Sequence, residues 1–189
     1  MNLNLELQVA VDLARAAGAV LLEHYYGPFL VEQKVNALDE LEEVTAADRE
    51  ANELIVSRLQ EEFPDDGILA EESTDSEHRL EKDRVWLIDP MDGTKNFIAR
   101  DGDFAVQIGL AVGGESILGV VYQPTRKALY RAVRGGGAWI EDEAGRRVGS
   151  RTRGVRAQGI AKRFPVQRRT SPPLGTSISL NASRPRCWV

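Results

Sequence analysis

Two aspartates, Asp89 and Asp92, lie three residues apart in the segment VWLIDPMDGTKNF, which begins at Val85. The apolar run before Asp89 has the composition of a strand, and Pro90 favours an extended Asp89 at which this strand should end. Carboxylate oxygens bind hard cations such as Mg²⁺, and free backbone N–H groups at the start of a helix bind phosphate. The segment therefore predicts a strand end that presents ligands for a cation beside a site for phosphate.

The residues after Asp92 extend this prediction. Gly93 permits a ligand to approach the backbone closely, and Thr94 is predicted to cap a helix that starts at Lys95. Asp, Pro, Gly and Thr are also ordinary turn and cap residues, so this segment by itself leaves a purely structural interpretation open.

Two other acidic positions have the same double interpretation. The spacing from Thr45 to Asp48 is that of a capping box, which favours Asp48 as a first-turn residue that satisfies backbone donors. Glu71 directly follows the short apolar run Ile68–Ala70. It marks either a strand that runs into a solvated loop or a second acidic strand end beside Asp89.

The elements that must position these residues are predicted as helices first and strands afterwards. The apolar spacing indicates helices over Leu3–Tyr26 and Thr45–Phe63, a loop over Asn36–Glu43, and strands over Phe29–Val35, Ile68–Ala70, Val85–Ile88, Phe104–Val112, Ser116–Gln123 and Ala128–Val133. Tight turns between the last strands predict an antiparallel meander. This order predicts an α+β fold in which layered helices pack on an antiparallel sheet.

The composition is that of a soluble globular protein, with 189 residues of which 42% are hydrophobic and 28% charged. The chain lacks an apolar run long enough to cross a membrane and lacks the pattern of a secretory signal. Its single cysteine, Cys187, excludes an intramolecular disulfide. These features predict a cytoplasmic protein without a membrane partner.

Charge divides the chain into two parts. All 29 acidic residues precede Ala144, whereas 11 Lys and Arg residues and no acid follow Glu143. We therefore predict a metal-binding domain over residues 1–145 and a basic, disordered or aberrant tail over residues 146–189. Basic tails attract nucleic acid non-specifically, but basic low-complexity ends usually have no such function, and nucleic acid is not an expected partner.

Several ordered motifs together resemble the inositol monophosphatase family of Mg²⁺-dependent, lithium-sensitive phosphatases. The matching positions are Asp48, Phe63-Pro64, Glu71-Glu72, Asp89–Thr94, Asn96-Phe97, Gly119–Pro124 and Gly135–Trp139. The likeness extends from the first helix to about Asp142, with a fainter match at Phe164-Pro165 and Arg168-Arg169. It implies the N-terminal half of the inositol monophosphatase fold, a small phosphorylated metabolite as substrate, and a homodimer.

The resemblance also implies a set of metal ligands. Glu71, Asp89 and the backbone carbonyl of Met91 would hold a first Mg²⁺, and Asp89 and Asp92 would help to hold a second. Two such ions stabilise the attacking and leaving oxygens of a phosphate monoester. Hard cations require oxygen ligands, which agrees with the absence of His and Cys from these positions.

The catalytic and phosphate-binding roles follow from the same resemblance. Glu71 and Thr94 would orient and activate the attacking water, and Asp48 would support them by hydrogen bonding. The phosphate would lie at Asp92 and at the backbone N–H groups of Gly93 and Thr94.

The chain departs from the family pattern after Asp142. The family has a later Trp-Asp motif whose aspartate completes the second metal site, and no acid follows Glu143 here. Family members are also longer, and an abrupt loss of acids and of likeness is the pattern that a shifted reading frame or a truncated gene produces. Two hypotheses follow: a Mg²⁺-dependent phosphatase for a small phosphate monoester, such as inositol monophosphate, with reduced activity, or an inactive remnant that keeps only metal and phosphate binding.

Overall fold

A computed structural model describes residues 2–35, 41–73, 77–144 and 147–150 of the chain. The helices in these ranges are α1 (Asn4–Tyr26), α2 (Ala46–Glu62) and α3 (Thr94–Ala99), with short 3₁₀ turns at Glu77–Glu81 and Pro124–Arg126. The strands are β1 (Val31–Val35), β2 (Leu41–Thr45), β3 (Gly67–Ala70), β4 (Arg84–Asp92), β5 (Ala105–Val112), β6 (Glu115–Gln123), β7 (Ala128–Val133), β8 (Gly137–Glu141) and β9 (Arg147–Ser150).

The described strands form an antiparallel hairpin, β1–β2, and a seven-stranded sheet in which β3 to β9 lie side by side in chain order. Strand β3 is parallel to β4, and every later neighbour is antiparallel. This arrangement confirms the predicted α+β fold and its antiparallel meander. Strand β2 begins at Leu41, within a segment that was predicted to be a loop, so that part of the prediction is wrong.

The sheet continues past the predicted domain boundary at residue 145, because β9 pairs with β8 as far as Ser150. The rest of the predicted basic tail, residues 151–189, lies outside the described residues.

The core lies between the sheet and the pair of helices α1 and α2. Alternate residues of four strands face these helices and are almost fully buried: Trp86, Ile88, Val106, Ile108, Leu110, Leu118, Val120 and Leu129. Helix α1 approaches the sheet closely at Gly18, where an added Cβ would lie 2.6 Å from the ring of Tyr122. The intervening strand residues, such as Leu87 and Gln107, project to the opposite face of the sheet.

None of the helices in the described ranges is both long enough and apolar enough to span a membrane.

A polar network fixes the start of β4 against α1 and the end of α2. Asp66 accepts hydrogen bonds from Arg84 Nε at 2.8 Å and from the indole N–H of Trp86 at 2.9 Å. Arg84 also donates to Glu6 at 3.0 Å, which connects β4 to α1. Because Trp86 is 0% exposed, its N–H requires a protein acceptor, and Asp66 supplies it.

We predict that Asp66→Ala lowers the free energy of unfolding by about 2 kcal/mol, because it leaves a buried indole N–H without its acceptor and removes a partner of Arg84. Urea denaturation measures this change. Asp65→Ala is the matched control, since Asp65 is the exposed neighbour and should change stability by less than about 0.5 kcal/mol. Equal stabilities of the two variants would contradict the prediction.

Candidate functional site

A β-bulge in β4 brings the two motif aspartates over one face of the neighbouring strand. Asp89 pairs with Gln107 and Asp92 pairs with Ala105, so a three-residue step on β4 matches a two-residue step on β5. Side chains alternate along a regular strand, and residues three apart would project to opposite faces. The extra residue removes this offset, because the two partner positions on β5 share a face.

Pro90 lies within this bulge. Proline has no N–H to donate to a strand ladder, and bulges are among the few places in a sheet that accept it. The prediction that the strand ends at Asp89 is therefore wrong, since β4 continues through Pro90 to Asp92. The proline interrupts regular pairing without ending the strand.

The first residue after β3 lies beside the bulge. Ala70 pairs with Ile88 in the parallel ladder, and the backbone N–H of Glu71 donates to the Ile88 carbonyl at 3.1 Å. Asp89 follows Ile88 directly, so Glu71, just after the end of β3, lies beside Asp89, which is within β4. The structure therefore agrees with the interpretation that places Glu71 beside Asp89, and its role in a site stays a prediction.

Asp48 forms the predicted helix cap and also contacts the motif. Its Oδ2 accepts hydrogen bonds from the Thr45 backbone N–H at 2.7 Å and the Thr45 hydroxyl at 2.6 Å, and the two residues form the predicted capping box. Its Oδ1 accepts a hydrogen bond from the Thr94 hydroxyl at 3.2 Å. A helix cap and a contact to the motif are therefore made by the two oxygens of one carboxylate.

Asp48 is 2% exposed, and its burial is the largest influence on its protonation. Desolvation raises the pKa of the Asp48 carboxyl above its ordinary value, although the hydrogen bonds from Thr45 and Thr94 act in the opposite direction. The group is therefore a better proton acceptor than an ordinary surface aspartate.

Thr94 is the first residue of α3 and not its cap, which corrects the sequence prediction. Gly93 takes the N-cap position with a φ of 97°, in the left-handed region, and an added Cβ would lie 2.7 Å from the carbonyl oxygen of Asp103. The Thr94 hydroxyl lies 3.3 Å from the Met91 carbonyl as well as near Asp48. It is thus held between a predicted metal ligand and a predicted catalytic residue.

An aromatic cluster anchors α3 beneath the motif. Phe97 is 0% exposed, and its ring centroid lies 5.4 Å from that of Tyr25, 5.0 Å from that of Phe29 and 5.0 Å from that of Phe104. Arg100 ends the helix, and its guanidinium lies 5.0 Å from the Phe29 ring centroid. These contacts fix the helix that begins at Thr94, directly after its N-cap Gly93.

The donor set fits a hard cation in its chemistry. The carboxylates of Glu71, Asp89 and Asp92 and the Met91 carbonyl are all oxygen donors, which lie just after β3 and in the last four residues of β4. Asp89 is 0% exposed, and buried charges in proteins are paired or coordinate metals. Within the described residues, however, no three Asp, Glu, His or Cys side chains are grouped closely enough to hold a metal ion. Glu71 is exposed, and its place in a metal-ligand set stays a prediction.

Two polar residues that sequence reasoning missed contact this site. Gln107 donates to the Asp92 carboxylate at 2.6 Å, and Asn52 of α2 donates to the Ser73 hydroxyl at 2.9 Å, next to the Glu71-Glu72 segment. One signal for Gln107 was available, because it is the single polar side chain in the strand sequence AVQIGLAV. Asn52 has no such signal, since polar residues are ordinary on a helix.

Comparisons of the sequence with known proteins agree on one protein family. The sequence model of the inositol monophosphatase family matches residues 3–184, so the likeness continues past Asp142. The chain is 35% identical to the Nus factor SuhB of Escherichia coli over 161 residues, which cover 85% of this chain and 58% of SuhB. It is 41% identical to the 3′(2′),5′-bisphosphate nucleotidase CysQ of Salmonella typhimurium over 137 residues, or 72% of this chain and 54% of CysQ.

A solved structure gives the same result. The Thermotoga maritima IMPase superposes with a TM-score of 0.64 at 33% identity, over 73% of this chain and 52% of that one. The chain thus spans little more than half the length of the relatives it matches.

The raised pKa of Asp48 gives a prediction for stability. Asp48 ionises near 3.8 in the unfolded chain but at higher pH in the folded chain, so the folded state binds more protons between these values. The free energy of unfolding of the wild-type chain should therefore fall relative to that of Asp48→Asn as the pH rises from about 4, and the difference should level off above the folded-state pKa.

Urea denaturation at a series of pH values, without divalent cations, measures this difference. A wild-type chain that gains stability relative to Asp48→Asn over the same range would contradict the raised pKa.

Proposed function

Because the chain belongs to the inositol monophosphatase family, we propose that it is a Mg²⁺-dependent phosphatase that hydrolyses a small phosphate monoester, such as inositol monophosphate. The observation that carries this proposal is the bulge that places Asp89 and Asp92 over one face of β5, beside Glu71 at the end of β3. The family membership supports the reaction class, whereas the substrate and the activity of this chain are part of the proposal.

The metal ligands in this proposal are Glu71, Asp89, Asp92 and the Met91 carbonyl. When bound, Mg²⁺ would supply charge stabilisation for the phosphate oxygens and would lower the pKa of a water molecule. The residues themselves fix where that charge is placed, because they extend from two strands that are hydrogen-bonded to each other. By resemblance to the family, the site would be sensitive to lithium.

Thr94 and Glu71 would orient the attacking water, and Asp48 would support them. The Thr94 hydroxyl donates towards Asp48 Oδ1, so its own oxygen is oriented to accept a hydrogen bond from a water molecule. When that water loses a proton to Thr94 Oγ1, the hydroxyl proton passes to Asp48 Oδ1. The raised pKa of Asp48 favours this transfer.

The phosphate group would bind to the backbone N–H groups of Gly93 and Thr94. These donors lie at the start of α3 and have no acceptor within the helix. Gly93 has no side chain, and this permits the tight turn beside Asp92, because an added Cβ would lie 2.7 Å from the Asp103 carbonyl oxygen.

The test is phosphate release by the purified chain from inositol monophosphate, fructose bisphosphate, histidinol phosphate and adenosine 3′,5′-bisphosphate, with and without Mg²⁺. We predict Mg²⁺-dependent release from at least one ester and a loss of kcat/KM of at least about a hundredfold in Asp89→Asn, since each metal contributes several kcal/mol. Asp65→Asn, an exposed aspartate outside the site, is the control and should keep its activity.

The alternative proposal is a chain that binds metal and phosphate without turnover. It would be supported by calorimetric Mg²⁺ binding that Asp89→Asn abolishes, together with phosphate release no greater than that of the variant. A chain that neither binds Mg²⁺ nor releases phosphate would contradict both proposals.

The partner in this proposal is a small phosphorylated metabolite and, by resemblance to the family, a second copy of the chain. Nucleic acid is the rival partner, because residues 151–189 contain nine Lys and Arg and no acid, and because one similar protein is named a Nus factor. We predict no binding to a fluorescent 20-nucleotide RNA at physiological salt. Binding that weakens steeply between 50 and 200 mM salt and disappears on deletion of residues 151–189 would instead establish the rival.

A further inference from the structure

The side chain of Gln107 lies beside both motif aspartates. It lies on β5 directly opposite Asp89, and its Nε2 donates to Asp92 Oδ2 at 2.6 Å. The side chain therefore reaches from the residue that faces one end of the bulge to the carboxylate at its other end. This contact crosses the irregular part of the β4–β5 ladder.

Gln107 is the only polar side chain in β5. The remaining residues of β5 are apolar or glycine, and most of them are buried. Gln107 itself is half-buried, and even a partly buried amide is more stable when it is hydrogen-bonded. Its bond to Asp92 is charge-assisted when the carboxylate is ionised, and bonds of this kind are shorter and stronger than neutral ones.

We propose that Gln107 is a positioning residue that orients the Asp92 carboxylate for metal binding; this inference rests on the proposed function. A donor on Oδ2 restricts the rotation of the carboxylate about its terminal bond, and a carboxylate can accept hydrogen bonds and ligate a cation through different lone pairs. Hydrogen-bonding partners of metal ligands act in this way, and their loss commonly weakens metal binding by about 10- to 100-fold.

The chemistry of glutamine suits this role better than that of the charged alternatives. Lysine or arginine at residue 107 would also donate to Asp92, but its positive charge would repel a cation. Glutamate would present a further negative charge to Asp89 and Asp92 and would lack the donor when ionised. Glutamine supplies an N–H and adds no net charge between the two carboxylates.

The test is Mg²⁺ binding to the full chain, measured by isothermal titration calorimetry for the wild type and Gln107→Met. Methionine matches the length and apolar volume of glutamine but cannot donate a hydrogen bond. We expect the Kd for Mg²⁺ to rise by about 10- to 100-fold. Near-ultraviolet circular dichroism in EDTA verifies that the variant keeps the native packing, which separates positioning from a general loss of structure.

Gln123→Met is the matched control. Gln123 lies on the adjacent strand β6, and its amide donates to a different aspartate, Asp103, at 3.3 Å. The same substitution there should leave the Kd for Mg²⁺ within about twofold of the wild type. An equal loss of affinity in both variants would overturn the assignment to Gln107.

A second measurement uses only the wild-type chain and so does not depend on the folding of a variant. The side-chain amide signals of Gln107 in a ¹⁵N–¹H spectrum should shift during a Mg²⁺ titration, whereas those of Gln123 should not. A wild-type chain that binds Mg²⁺ with an unshifted Gln107 amide and an unchanged Kd in Gln107→Met would overturn the inference and leave the proposed function intact. A wild-type chain that does not bind Mg²⁺ would overturn both.

Discussion

The candidate site depends on one extra residue in β4. Asp89 and Asp92 are separated by three positions, and a regular strand would direct their side chains to opposite faces of the sheet. The bulge matches their three-residue step to the two-residue step from Gln107 to Ala105, so both carboxylates lie over one face of β5. Pro90 fits this bulge because it has no N–H to contribute to the ladder. The roles proposed for the pair require this local change of register, because it brings both carboxylates over the same face.

Helix α2 brings the second part of the site to the motif. Its capping box fixes Asp48 at the first turn, and the burial of α2 against the sheet fixes where that turn lies. Thr94 is fixed independently, because the aromatic contacts of Phe97 hold α3 in place. The Asp48–Thr94 hydrogen bond therefore joins two elements that are each positioned by apolar packing. A weak bond between rigid elements can orient a hydroxyl well, since packing already limits the motion of both.

Folding buries carboxylates at the candidate site, which is electrostatically unfavourable. Asp48 and Asp89 are almost fully buried carboxylates, and Asp92 lies at the other end of the bulge from Asp89. Burial raises the pKa of Asp48, which shows that the interior penalises the ionised form there. A bound cation would compensate such a penalty, and Gln107 donates a hydrogen bond to Asp92 without adding a competing positive charge. In the proposed function, the same few carboxylates would influence both stability and metal affinity.

The sequence by itself determined the local features: the capping box at Asp48, the acid Glu71 at the end of β3, and the meander of β5 to β7. Each depends on residues close together in the chain, so spacing and composition are sufficient to predict it. Only the tertiary structure decided that β4 continues through Pro90 and that Asp48 meets Thr94, 46 residues further on. Strand register and long-range side-chain contacts depend on how elements pack, and no local pattern encodes that packing.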